Sequence, residues 1–179
     1  MQRKRRVKRV SRVTEPAASA PPASATPARF DVVALVTSAG GLEAVAAILR
    51  DLPEGFPASI IVSQHLGGQG SALVTILSRR TTLPVAWAAT GARLTPGQVL
   101  VCPPRRQLEV LPDGTCVLSG ETTARDKPHD ILLESIADSC GSRALAVVLT
   151  GMGRDAAVGA GAVKRAGGVV LVQSVETSE

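Results

Sequence analysis

The stretch FDVVALVTSAGGLEAVAAILRDL, residues 30–52, is the most informative part of the sequence about the fold. Its first seven residues form an apolar run of strand length, and Gly40 and Gly41 follow that run closely. Beyond the glycines, apolar residues recur at helical spacing. These residues are Leu42, Val45, Ile48, Leu49 and Leu52. A buried strand joined through a glycine turn to an amphipathic helix is the repeating unit of α/β folds.

The same alternation continues along the chain. Further strands are predicted at residues 58–63, 84–89, 143–149 and 169–172, and helices at residues 71–80, 130–139 and 156–166, with Ser71 and Asp130 as helix caps. Apolar residues make up 45% of the chain and aromatic residues only 2%. Aliphatic side chains must therefore form the core, as they do in buried parallel strands. We predict a doubly wound, mostly parallel α/β sheet with helices on both faces.

Residues 97–119 break this alternation. They contain short apolar runs at residues 99–102, 108–111 and 116–118. Prolines separate the runs, and the triplet Pro112-Asp113-Gly114 is a good hairpin turn. We predict a short antiparallel excursion at an edge of the sheet.

Positive charge is concentrated at the amino terminus. The chain has a net charge of +5, yet residues 1–13 hold seven Lys or Arg and no acid, so the remainder carries 13 basic and 15 acidic side chains. Residues 14–28 are rich in Ala, Pro and Ser, which favours a linker. We predict a disordered basic tail and linker over residues 1–28 and one folded domain over residues 29–179. A solvated extension is the favoured interpretation of the tail, and weak binding to nucleic acid or an anionic surface is the alternative.

The sequence also indicates the compartment. No apolar segment follows the basic residues, as a secretory signal would require, and no stretch is apolar enough to span a membrane. The three cysteines are widely spaced and form no CxxC pair, which is typical of reduced thiols in the cytoplasm. We expect a cytoplasmic monomer.

Three reactive residues follow predicted strands. Ser38 comes two residues after the first strand, His65 ends the second, and Asp155 lies in the loop after residues 143–149. Ligands of open α/β sheets bind beyond the carboxyl ends of the strands. If these strands are neighbours, the three side chains share a crevice. They would then form a triad in which Ser38 is the nucleophile, His65 its base and Asp155 the residue that orients the base.

The flanking glycines fit this chemistry. Gly40 and Gly41 permit a sharp turn from strand into helix, and the backbone N–H groups at that helix start, near Ala39, could face an oxyanion. The glycines on either side of Met152 allow a turn that presents the amide of Met152 as well.

Each residue also has a simpler interpretation. Ser38 and Asp155 could each do no more than cap the helix that follows them in the chain. His65 could be an ordinary residue at a strand end. The glycine-rich turn at residues 37–41 could hold a phosphate, but it lacks GxGxxG and a P-loop lysine. His129 follows a proline in a polar stretch, and we predict it as a surface residue. Because the two histidines lie far apart in sequence, we predict no metal site, and no cofactor is implied.

The chain resembles the catalytic domain of CheB-type chemotaxis protein-glutamate methylesterases. The matching motifs are SAGGLEA at residues 38–44, SQH at 63–65, CPP at 102–104 and LTGMGRD at 149–155, and the resemblance covers residues 30–175. It implies triad roles for Ser38, His65 and Asp155 and an oxyanion role for Met152. It further implies hydrolysis of glutamate γ-methyl esters on methyl-accepting chemotaxis receptors, with release of methanol and no cofactor. Many members also deamidate receptor glutamines.

Several features depart from the family pattern. They are Val36-Thr37 where Gly-Ala is usual, Gly67-Gly68 in a loop that usually bears proline, Pro128-His129-Asp130 in a stretch one residue shorter, an end at Glu179 before the usual last helix, and no room for a receiver domain in residues 1–28. We therefore expect control that does not depend on phosphorylation in cis. The alternative hypothesis is a catalytically degenerate module that binds receptors or signalling partners.

Overall fold

A computed structural model describes residues 29–38, 40–65, 72–122, 126–150 and 155–174. The strands, in chain order, are β1 (Val32–Thr37), β2 (Ser59–Gln64), β3 (Val85–Trp87), β4 (Val99–Val101), β5 (Arg106–Val110), β6 (Cys116–Glu121), β7 (Ala144–Val148) and β8 (Val169–Val172). The helices are α1 (Gly41–Asp51), α2 (Leu73–Ser78), α3 (Pro128–Cys140) and α4 (Ala157–Arg165), and a short 3₁₀ turn, Gly141–Arg143, follows α3.

Six strands form one sheet in the order β3-β4-β2-β1-β7-β8. Every neighbouring pair in it is parallel. Strand β1 lies between β2 and β7, and all six of its residues are buried. Parallel strands need a crossover connection, and α1 provides the one between β1 and its neighbour β2. Residues 30–52 thus contain the central strand and the first crossover helix of the sheet.

Both faces of the sheet are covered. Side chains of a strand point alternately to its two faces, and Val33 and Leu35 of β1 pack in the same cluster as buried residues of α1 and α2. Val32, Ala34 and Val36 point the other way and pack with buried residues of α3 and α4. The predicted doubly wound sheet with helices on both faces is confirmed.

The antiparallel strands form a separate pair. Strands β5 and β6 pair with each other, and the turn between them contains the predicted Pro112-Asp113-Gly114. The pair packs against α3, where the backbone N–H of Val110 donates to Oγ of Ser135 at 3.0 Å. The prediction was wrong for Val99–Val101, which belongs to the parallel sheet between β2 and β3. Three consecutive fully buried residues suit a strand covered on both faces.

Most element boundaries shift only slightly. Helix α3 begins at Pro128, two residues before its predicted start, and proline is favoured in that first helical position. Asp130 therefore lies in the first turn of α3, and the prediction that it caps this helix was wrong. The predicted cap Ser71 lies outside the described residues, and α2 begins at Leu73. Among the parts of the chain that the structure describes, no helix is long and apolar enough to cross a membrane.

Candidate active site

The ends of three neighbouring strands build the site. The backbone N–H of Ser38, just after β1, donates to the carbonyl of Thr150, just beyond β7, at 3.1 Å. The backbone N–H of His65, just after β2, donates to the carbonyl of Thr37 at 3.1 Å. These bonds fix the segments that carry Ser38 and His65 relative to β7, at the edge where ligands of open α/β sheets bind.

The turn after β1 depends on its two glycines in different ways. Gly40 has φ of 82°, a left-handed conformation that favours glycine. A methyl group on Gly41 would overlap the hydroxyl of Thr37, which donates to the carbonyl of Thr150 at 3.0 Å. Gly40 occupies the cap position of α1, and no side chain caps that helix. The capping interpretation of Ser38 is therefore wrong.

His65 and Asp155 are paired. Nε2 of His65 lies 2.9 Å from Oδ2 of Asp155, although 90 residues separate them in sequence. The His65 side chain is 41% exposed and that of Asp155 13% exposed. The ring thus presents one edge to a carboxylate and remains accessible from the cleft side.

Backbone groups also hold the Asp155 carboxylate. The N–H groups of His129 and Asp130, in the first turn of α3, donate to its two oxygens at 3.2 and 2.9 Å. The N–H of Ala156 donates to Oδ1 at 2.9 Å. Asp155 therefore binds the amino end of α3 while it pairs with His65. The interpretation that it only caps the following helix, α4, was wrong, because Ala156 occupies that cap position.

These contacts set the charge of Asp155. Burial raises the pKa of this carboxyl, but the hydrogen bonds from His65 and from the backbone of Asp130 and His129 outweigh burial and lower the pKa to about 2. The carboxylate is ionised at neutral pH and accepts a hydrogen bond from the N–H at Nε2 of His65. In that tautomer Nδ1 of His65 carries the free lone pair.

His129 is not a surface residue, and that prediction was wrong. The residue is 3% exposed, and its ring stacks on that of His65 with centroids 4.0 Å apart and planes inclined by 18°. Its Nδ1 lies 3.5 Å from Oδ2 of Asp155. Burial, followed by the neighbouring His65, lowers the pKa of His129 to about 4, so its imidazole is neutral at pH 7.

A signal for this placement was present in the sequence. If α3 is taken to begin at Pro128, His129 precedes Leu132, Leu133 and Ile136 by three, four and seven residues. That spacing puts His129 on the buried face of the helix, and all three of these apolar residues are fully buried.

The two histidines bring potential metal ligands together. One ligand atom each from His65, His129 and Asp155 lies within 4.8 Å of the others. The separation of the two histidines in sequence, on which the prediction of no metal site rested, therefore does not keep them apart in the fold. Stacked rings direct their in-plane lone pairs side by side and not toward one point. Tetrahedral binding of an ion such as zinc would therefore require one ring to rotate.

A cleft of about 80 Å³ opens at this edge of the sheet. Its polar lining includes Ser38, His65, His129 and Asp155, and Val148 and Leu149 contribute to an apolar wall. Pockets for drug-sized ligands are several times larger, from about 300 Å³ upward. The cleft suits a group of a few heavy atoms.

A family comparison agrees with this geometry. The family model described as CheB methylesterase matches residues 33–179. The chain belongs to the CheB methylesterase family. The resemblance inferred from the sequence motifs is confirmed, and the serine, histidine and aspartate motifs lie within the matched region.

Individual relatives of the CheB family give the same result. The chain is 39% identical to protein-glutamate methylesterase/protein-glutamine glutaminase 3 of Myxococcus xanthus (strain DK1622), over 90% of this chain and 46% of that protein. It is 37% identical to protein-glutamate methylesterase FrzG of Myxococcus xanthus, over 96% of this chain and 53% of that protein. The chain thus spans about half the length of these curated relatives.

A solved structure of the family has a similar fold. The crystal structure of the Thermotoga maritima CheB methylesterase catalytic domain superposes with a TM-score of 0.76 and 32% sequence identity, over 83% of this chain and 82% of that chain. The shared fold therefore extends over most of both chains.

The structure brings together most of the candidate residues of this CheB-family site. Ser38, His65 and Asp155 line one cleft, and Gly40 and Gly41 form the adjoining turn. The proposed oxyanion residues Ala39 and Met152 lie outside the described residues, as do the basic tail and linker at residues 1–28.

Two departures from the CheB pattern lie within the described site. Val36 pairs in register with Ser63 and Val148 and lines the cleft, so the strand accommodates it. His129 lies in the shortened stretch, which forms the first turn of α3, and places an imidazole against His65. The departures at residues 67–68 and 179 are outside the described residues.

Proposed function

We propose that this domain is a serine hydrolase that cleaves γ-methyl esters of protein glutamates. The observation that carries the proposal is the 2.9 Å contact between His65 and Asp155 at the sheet edge that also carries Ser38. An ionised carboxylate that fixes a histidine tautomer beside a serine is the arrangement that activates a hydroxyl nucleophile.

The proposed reaction proceeds in two halves. Oγ of Ser38 attacks the ester carbonyl while Nδ1 of His65 takes the hydroxyl proton, and the amides of Ala39 and Met152 stabilise the oxyanion. His65 returns the proton to the methoxy oxygen, and methanol leaves a glutamyl ester on Ser38. Water then attacks this ester, with His65 again as base. The products are the glutamate carboxylate and free Ser38.

Asp155 contributes through charge. Its pKa of about 2 keeps it ionised throughout the reaction, so it stabilises the imidazolium that forms when His65 holds the proton. Because its oxygens also accept backbone N–H groups of α3, the carboxylate is fixed before substrate binds.

The substrate is proposed from the cleft and the relatives. A cleft of about 80 Å³ suits the end of one side chain, such as a methyl ester or a primary amide, presented by a protein surface. Relatives named protein-glutamate methylesterase/protein-glutamine glutaminase support both reactions. In deamidation ammonia replaces methanol as the leaving group. Methyl-accepting chemotaxis receptors are the proposed protein substrates, and the cytoplasm the proposed compartment.

Methanol release from receptor membranes tests the proposal. Membranes whose receptors carry labelled methyl esters are incubated with the protein, with Ser38→Ala and with Ser78→Ala, a control at an exposed serine of α2. Wild type and Ser78→Ala should release methanol at similar rates, and Ser38→Ala should be slower by at least about a thousandfold. Equal release by wild type and Ser38→Ala would refute the proposal in favour of the degenerate binding module.

A further inference from the structure

His129 is a buried polar group that the proposed reaction does not use. Its ring stacks on that of His65 at 4.0 Å, and its Nδ1 lies 3.5 Å from the carboxylate oxygen that pairs with Nε2 of His65. The side chain is 4% exposed, whereas that of His65 is 41% exposed. A buried, well-packed ring therefore supports the more accessible one.

This support matters because of what the pair with Asp155 leaves free. The Nε2 contact fixes one atom of the His65 ring, but the ring could still pivot about that contact toward solvent. A flat surface against one face of the ring opposes such a pivot. Small errors in the placement of a base are costly, since a displacement of about 1 Å can reduce a rate about a hundredfold.

We propose that His129 is a positioning residue that holds the plane of the His65 ring so that Nδ1 faces Ser38. The inference rests on the proposed function, because it assigns His65 as the base. His129 acts through His65 and does not touch the substrate. The relevant property of its side chain is a flat ring at this depth in the protein.

The charges around His129 agree with this role. Asp155, which precedes α4, and Asp130 of α3 favour a protonated His129, but burial and the adjacent His65 oppose protonation more strongly. The buried ring therefore stays neutral in the neutral pH range. A neutral neighbour does not repel the imidazolium that forms on His65 during the reaction, whereas a second cation at 4.0 Å would do so.

Three variants test the proposal. His129→Leu keeps an apolar side chain at the position but removes the flat ring, and His129→Phe retains a flat ring without nitrogen atoms. Ile136→Ala opens a cavity on the same buried face of α3, about two turns further along the helix than His129, and serves as the control for lost stability. All are compared at a temperature where each is folded.

The first readout is the rate at which a fluorophosphonate labels the site serine, together with kcat and KM for ester hydrolysis. We expect His129→Leu to lower the labelling rate and kcat at least about tenfold with little change in KM. His129→Phe should restore most of that loss, and Ile136→Ala should label like wild type. A His129→Leu rate equal to that of wild type, or an equal loss in Ile136→Ala, would overturn the proposal.

The second readout does not require activity. Carbon relaxation dispersion of the His65 imidazole reports ring motion on the microsecond to millisecond timescale. We expect exchange broadening in His129→Leu and none in wild type or His129→Phe. Identical His65 signals in wild type, His129→Leu and His129→Phe would refute the positioning role even if the protein is active. If no serine is labelled in wild type, the proposed function fails, and the same spectra still decide whether His129 holds the ring.

Discussion

Replacing His129 with phenylalanine should flatten the acid side of the pH–stability profile. The pKa of His129 is about 4 in the folded protein, compared with an ordinary value of 6.5. Between these values the unfolded chain takes up a proton at this residue and the folded protein does not. Stability therefore falls as the pH drops below 6.5 and levels off below about 4.

The size of the effect follows from the two pKa values. Their separation of about 2.5 corresponds to about 3 kcal/mol in the free energy of unfolding, at about 1.4 kcal/mol for each factor of ten. The residue is 3% exposed, so solvent screening reduces this value little. Phenylalanine has no titrating group, and the variant should lack this contribution entirely.

Urea unfolding followed by circular dichroism at several pH values between 7 and 4 measures the difference. Between these limits the wild-type protein should lose about 3 kcal/mol more stability than His129→Phe. Any packing cost of the larger ring is the same at each pH, so it shifts the variant curve without changing its slope. Ile136→Ala should run parallel to wild type. A His129→Phe curve that also runs parallel to wild type would refute the buried, neutral histidine.

Three further substitutions test the packing of α3 against α4 and the charge of Asp155. A methyl group on Gly159 would lie 2.6 Å from Cβ of Leu133, so Gly159→Ala should lower the free energy of unfolding by about 1–3 kcal/mol. Gly161→Ala in the same helix should raise the free energy of unfolding by up to about 1 kcal/mol. Thermal unfolding that ranks the two variants the other way would contradict the close packing of α3 and α4. Asp155→Asn removes the ionised partner of His65 and should lower the labelling rate by about a hundredfold or more while the fold is retained, and an unchanged rate would exclude a catalytic contribution from the carboxylate.

Local patterns were sufficient to predict most elements. The last strand has the predicted bounds, Val169–Val172, and β1 and α1 differ from their predicted bounds by at most two residues. These elements have strong periodicity and glycine boundaries, which are properties of neighbouring residues.

Sheet order is a different kind of information. Val99–Val101 was recognised as a strand, but its place between β2 and β3 depends on residues about 15 and 40 positions away. Proximity in sequence to the hairpin suggested the wrong partners. The convergence of Ser38, His65 and Asp155 was predicted on the condition that their strands are neighbours. The order β2-β1-β7 in the sheet meets that condition.

The wrong prediction of a surface position for His129 came from the residues that precede it in the chain. Its neighbours Asp126 and Lys127 are polar and exposed, and they suggested a surface position. The helix that begins at Pro128 turns His129 inward, and only tertiary packing against His65 and Asp155 gives the ring its surroundings. Such a contact between residues 64 positions apart cannot be derived from periodicity.

The proposed reaction requires that Ser38 is a nucleophile activated by His65. Treating the protein with a fluorophosphonate and mapping the adduct by mass spectrometry tests this claim without knowledge of the substrate. We expect one adduct, on Ser38, formed at least about a hundredfold faster than in His65→Gln. No adduct on Ser38, or labelling of Ser38 that is equally fast in His65→Gln, would contradict it.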